Sequence, residues 1–129
     1  MRDQTLDRIE QDIAVLEAAA RERDALCEVL EPAIALVVRT LRARIDADGK
    51  PAPADAADVL DVWRVLAKGD PTWNAIRDNC RELVFYRNCL ALGRADALPP
   101  AAHRMAVRTV RHVFLYVRSR AQRDARTSR

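Results

Sequence analysis

Apolar residues recur along the first third of the chain at Leu6, Ile9, Ile13, Leu16, Ala20, Cys27, Leu30, Ile34, Val37 and Leu41, stepping alternately by three and four apart from one charged slot. That slot is Arg23, which the pattern assigns to an exposed or paired position. The spacing keeps one helix face apolar, with the phase of a coiled coil. Pro32 lies inside the run. An internal proline removes one helical hydrogen bond and crowds the preceding turn, at a cost of roughly 3 kcal/mol. The pattern therefore predicts a long N-terminal helix kinked or broken at Pro32, giving helices over about 4–30 and 32–46.

The next segment, Asp46 to Pro53, reads as a loop, because Gly49 can close the helix while Pro51 and Pro53 oppose its resumption. Val59, Leu60, Trp63 and Leu66 share one face of a short helix at about 54–67. Asp70-Pro71 pairs an N-cap residue with proline at the first helical position and opens a helix over about 71–92, stopped by Gly93. Pro99-Pro100 opens the last helix, over about 100–124, with a seam of His103, Val107, Val110, Phe114, Val117 and Ala121. His103, near the start of that seam, reads as a core or capping residue.

No strand pattern or repeat interrupts these helices. At 129 residues the expected architecture is a single-domain, all-α bundle of four to five helices. Composition supports this: the chain is alanine-rich, has only three glycines and is 5% aromatic, so the core should be thin and aliphatic. No run is apolar enough to cross a membrane, and the charged, amphipathic start does not resemble a signal peptide. With three cysteines, Cys27, Cys80 and Cys89, the expectation is a soluble, cytoplasmic protein with reduced thiols. Cys27 and Cys80 fall on apolar seams and are expected to be buried and structural.

The net charge of +3 conceals a polarity. Residues 1–30 carry eight acids against four arginines, whereas residues 99–129 carry eight arginines and one acid, Asp124. Such asymmetry suits either an anionic partner for the C-terminal end or pairing of the two ends, within or between chains. Little else carries chemistry. The two histidines, His103 and His112, form no zinc-binding pattern, and neither a glycine-rich phosphate loop nor a nucleophile elbow is present. No cofactor or metal is expected.

Arg87 stands out within the predicted 71–92 helix. The seam Trp73, Ile76, Cys80, Leu83, Arg87, Leu90 places it where an apolar residue belongs. A guanidinium there must snorkel from the rim, pair with a carboxylate on the first helix, or face a cleft built for anionic chemistry. The surrounding run Leu83-Val-Phe-Tyr-Arg87-Asn88-Cys-Leu-Ala-Leu92-Gly93 resembles the motif segment of the HEPN superfamily, and the helix–loop–helix layout fits over residues 70–121. The resemblance implies a compact helical bundle, pairing as a dimer, and a place in bacterial toxin–antitoxin or defence assemblies. In active members an arginine and a histidine form a metal-independent ribonuclease site. Arg87 matches that arginine and Asn88 the polar residue after it, but Leu92 stands in the histidine's place. Leucine cannot move a proton, so the resemblance implies a non-catalytic member.

The final helix carries the other candidate. Arg104, Arg108, Arg111, Arg118 and Arg126 form a strip beside its apolar seam at about 100° of rotation per residue. Guanidinium groups grip phosphates through two oxygens at once, so this strip is the predicted nucleic-acid-binding surface. A charge match to the acidic N-terminal helix, or a merely solvated flank, would produce the same pattern. The leading expectation is a non-enzymatic, HEPN-like protein binding RNA or DNA through this strip, as a small subunit of a bacterial nucleoprotein or defence assembly. The alternatives are a protein-interaction adaptor or homo-oligomer built on the 6–41 heptads, and a metal-independent ribonuclease using Arg87.

Overall fold

A computed structural model describes residues 4–22 and 25–127. Five α-helices follow one another: α1 (Gln4–Glu22), α2 (Leu26–Ala47), α3 (Val59–Ala67), α4 (Arg77–Ala91) and α5 (Ala102–Thr127). Short 3₁₀ segments at Pro71–Ile76 and Ala95–Ala97 lead into and out of α4. No strand occurs among the described residues, so the expected all-α bundle is the observed fold.

Helices α2 and α5 form the central pair; α1 packs against both, α3 against α2 and α4, and α4 against α2 and α5. One apolar cluster fills the space between them, drawing Ile9 and Ile13 from α1, Val37 and Leu41 from α2, Leu66 from α3, Leu83 from α4 and Phe114 from α5. The α1 seam is buried as predicted at Leu6, Ile9, Ile13, Leu16 and Ala20. The α5 seam is buried from His103 to Val117, with Ala121 half-buried at its end.

The first correction concerns the break in the N-terminal helix. It lies before Leu26, where Ala25 is extended (φ −132°, ψ 105°), and Pro32 sits inside an unbroken α2. Proline at this point forfeits a bond to the carbonyl of Glu28, in the first turn of α2. Glu28 and Pro32 are both exposed, so water can take the place of the missing donor. The restart places Cys27 in the first turn of a new helix. Val29 and Leu30 open the buried face of α2, while Cys27 is exposed rather than buried. The predicted seam resumes at Leu30, Ile34, Val37 and Leu41. Arg23 lies outside the described residues.

Other boundaries shift by local chemistry. Residues 54–58 are not helical, and α3 begins at Val59. Arg42 holds the proline-containing loop through its bonds to the Pro53 and Ala54 carbonyls (3.1 and 2.6 Å). Lys50 donates to the Leu66 carbonyl (3.0 Å) and so satisfies an end of α3 that the helix leaves open. Asp70 caps as predicted, accepting from the Thr72 backbone, but its first turns are 3₁₀ and α4 starts only at Arg77. Gly49 and Gly93 adopt φ of +70° and +68° just past α2 and α4, a conformation that costs other residues strain. After Pro99-Pro100, α5 begins at Ala102 and runs on to Thr127.

Restoring a backbone donor at the internal proline gives a direct check. Pro32→Ala should raise stability by about 1 kcal/mol or more, once the greater freedom of the unfolded chain is offset against the recovered hydrogen bond. A higher urea midpoint with an unchanged m-value is the expected result, and a lowered midpoint would contradict it.

Candidate nucleic-acid interface

The structure divides the five-arginine strip of α5 into two groups. Arg111 spans two acids of α1: its Nε and Nη2 donate to Glu17 (3.1 and 2.7 Å), and its Nη1 donates to Glu10 (3.0 Å). Arg118 donates to the same Glu10 oxygen at 2.9 Å. Both guanidinium groups also lie over the Phe114 ring, at 5.9 and 5.2 Å from its centre. The Arg111 hydrogen bond leads the influences that hold the Glu17 carboxyl below its ordinary range, and the same bond raises Arg111. For these two residues the charge match to the N-terminal helix is what the geometry realises.

Arg104, Arg108 and Arg126 behave differently. All three are exposed, and none has a carboxylate partner among the described residues. Arg123, which the strip omitted, joins them on the outer side of the helix. The exposed positions of α5 include Arg104, Arg108, His112, Ser119, Arg123 and Arg126 without a single acid. Asp124, the one acid of α5, pairs with Arg44. Nearer the start of α5, Arg104 and Arg108 meet Arg21 of α1 around an open notch of about 330 Å³ that also touches Glu17.

Arg87 does not occupy the core slot assigned to it. The buried line of this region is Trp73, Ile76, Cys80, Leu83, Tyr86 and Cys89, so Tyr86 takes the place and Arg87 lies one step aside, partly exposed. The predicted line holds from Trp73 through Leu83, and only beyond Leu83 does burial pass to Tyr86 and Cys89. Arg87 forms a two-pronged bridge to Asp58, the N-cap residue of α3, at 2.8 and 2.7 Å. That bond is the first cause of the lowered Asp58 and raised Arg87 pKa values. The partner is thus a carboxylate, but one from the start of α3 rather than from the first helix. Asn88 is exposed, and Leu92 ends α4 with 76% of its surface open to solvent. His103 is buried on α5 and His112 is exposed.

Two arginines that the strip did not include prove to be internal fasteners. Arg120 lies 4.4 Å from the centre of the Trp73 ring and bonds Asp70 (3.1 Å) and the Thr72 hydroxyl (2.6 Å). With Thr72 and Arg120 as its partners, the Asp70 carboxyl is lowered to about 2. Arg44 approaches the same ring at 5.9 Å and pairs with Asp48 and Asp124. Tyr116 completes the cluster, its hydroxyl donating to the Thr72 carbonyl (2.9 Å) and its ring meeting Trp73 edge-on. These contacts tie the 3₁₀ turn to α2 and α5. Of this cluster, the sequence pattern had marked only Asp70, as a helix cap.

Burial pushes the Cys80 thiol up to about 12, in keeping with a structural thiol. No group of three or more metal-ligating side chains occurs among the described residues, and no helix among them is long and apolar enough to cross a membrane. No protein-family model, curated protein or solved structure matches the chain.

The division of the strip predicts opposite behaviour for its two groups. Arg111→Ala should lower stability at pH 7 by about 1–2 kcal/mol, because it strips two partly buried carboxylates of a partner, whereas Arg126→Ala should stay within about 0.5 kcal/mol of the parent. Because folding depresses the Glu17 pKa, its contribution is present above the ordinary value of 4.5 and fades as pH falls through the folded value. Denaturation curves of the parent and Arg111→Ala should therefore converge in acid; a gap independent of pH would contradict the ionic origin.

Proposed function

We propose that this protein is a non-enzymatic, HEPN-like helical bundle that binds RNA or DNA along the outer face of α5, as a small subunit of a bacterial nucleoprotein or defence assembly. One observation carries the reading. Arg104, Arg108, Arg123 and Arg126 are all exposed on that helix without a carboxylate partner among the described residues, while the nearby acids Glu10, Glu17 and Asp124 are engaged by other arginines. A face with arginines and no acids presents an uninterrupted positive potential to a phosphate backbone. Its guanidinium groups need break no internal bond to reach that partner.

Holding is favoured over cutting. Arg87, the arginine of the motif, has both prongs on Asp58, and the position of the motif histidine is an exposed leucine. A second reading, as a protein-interaction subunit, has one feature in its favour. A groove between α1 and α2 is floored by Leu16 and Leu36 and leaves Val15 70% exposed, an apolar surface that a partner would cover.

Affinity for RNA or single-stranded DNA should fall steeply as salt rises, and each of Arg104→Ala and Arg108→Ala should reduce the slope of log K against log salt by about one or slightly less. The charge reversals Arg104→Glu and Arg108→Glu together should abolish binding without unfolding the bundle. Undiminished binding by a folded double variant would rule out this face.

A further inference from the structure

Phe85 is one of two phenylalanines in the chain; Phe114 is in the core, whereas Phe85 is half exposed on α4. It borders a shallow pocket of about 410 Å³ lined with Leu60, Val84, Arg81, Asn88 and Glu82. Arg81 and Asn88 have no side-chain partner among the described residues, so a guanidinium and an amide stand open beside an exposed aromatic ring.

We infer that this pocket takes an unpaired nucleobase, with Phe85 as its stacking surface, and that the protein consequently binds single-stranded nucleic acid in preference to duplex. The inference rests on the nucleic-acid reading of α5 and adds the class of strand to it. Each part of the pocket has a matching part in a nucleotide. An aromatic face attracts any base by stacking, and a base inside a duplex cannot reach it. The Asn88 amide both donates and accepts, as base edges do, and Arg81 supplies a cation for the attached phosphate.

The site adjoins the basic helix. Glu82, one wall of the pocket, accepts a hydrogen bond from Thr109 of α5 at 3.2 Å and from Tyr86 at 3.0 Å. The Tyr86 hydroxyl in turn touches the sulfur of Met105 on α5, at 3.9 Å. Met105 and Thr109 follow Arg104 and Arg108 by one residue, about 100° of helix rotation, so the pocket wall and the arginines occupy adjacent sides of α5. The Glu82 carboxylate repels phosphate from that side and leaves room for the N–H groups of a base. A strand would therefore lay phosphates along the arginines and turn a base toward Phe85.

The test compares a short oligothymidylate with an abasic strand of equal length and charge, using the full chain and variants at Phe85. The parent should bind the oligothymidylate about tenfold more tightly than the abasic strand, the scale of one stacked base. Phe85→Ala should remove that difference while leaving the abasic affinity unchanged, and Phe85→Trp, which keeps an aromatic face, should retain it. Salt-dependent binding that is equal for both strands, or unaltered by Phe85→Ala, would overturn the pocket and leave the α5 assignment standing. Failure of the parent to bind either strand would overturn both.

Discussion

Glu10 and Glu17 of α1 face Arg111 and Arg118 of α5 across a gap that these four partly buried charged side chains bridge. Much else in the molecule depends on that contact. It fixes which side of α5 is sealed against α1, and so which side is left to water. It lies over Phe114, so the ionic network and the apolar core support each other at one place. Because two-pronged arginine–carboxylate bonds specify geometry as well as strength, they also fix the register of α1 along α5. The arginines beyond the reach of α1 become the face available to a partner.

The same division organises the rest of the molecule. Arg44 and Arg120 flank Trp73 and hold the 3₁₀ turn against α2 and α5. Arg87 fastens α4 to the first residue of α3. An arginine-rich chain of this kind uses many of its cations as internal ties, with Asp58, Asp70, Glu10 and Glu17 as their anchors. Net charge therefore says less about partners than the distribution of cations left unpaired after folding. On α5 those fall together, on one exposed side.

Much of the fold was legible in the sequence because apolar periodicity reports burial directly. The seams of α1 and α5, the glycine stops and the Asp70 cap all follow from local chemistry. The break before Leu26 was not legible: Ala25 has no turn signature, and Pro32, which has one, is accommodated by an exposed first turn. Cys27 is exposed because the break leaves it in the first turn of α2, whereas the line of α4 keeps its predicted positions through Leu83 and shifts only beyond it. Of the candidate interface, the strip itself was visible but its division was not. Arg111 and Arg118 look no different from Arg104 and Arg108 until α1 is laid beside them. Arg123 was missed because it lies on the far edge of the exposed face, and Phe85 because a single aromatic residue off the apolar seam carries no binding pattern of its own.

The side-chain Nε–H resonances of the arginines would test the central claim most directly, followed by NMR as a single-stranded oligonucleotide is added. On this account the signals of Arg104, Arg108, Arg123 and Arg126 shift with the titrant, while those of Arg111 and Arg118 hold their positions against Glu17 and Glu10. Early shifts at Arg111 and Arg118, with the four outer arginines unmoved, would contradict it.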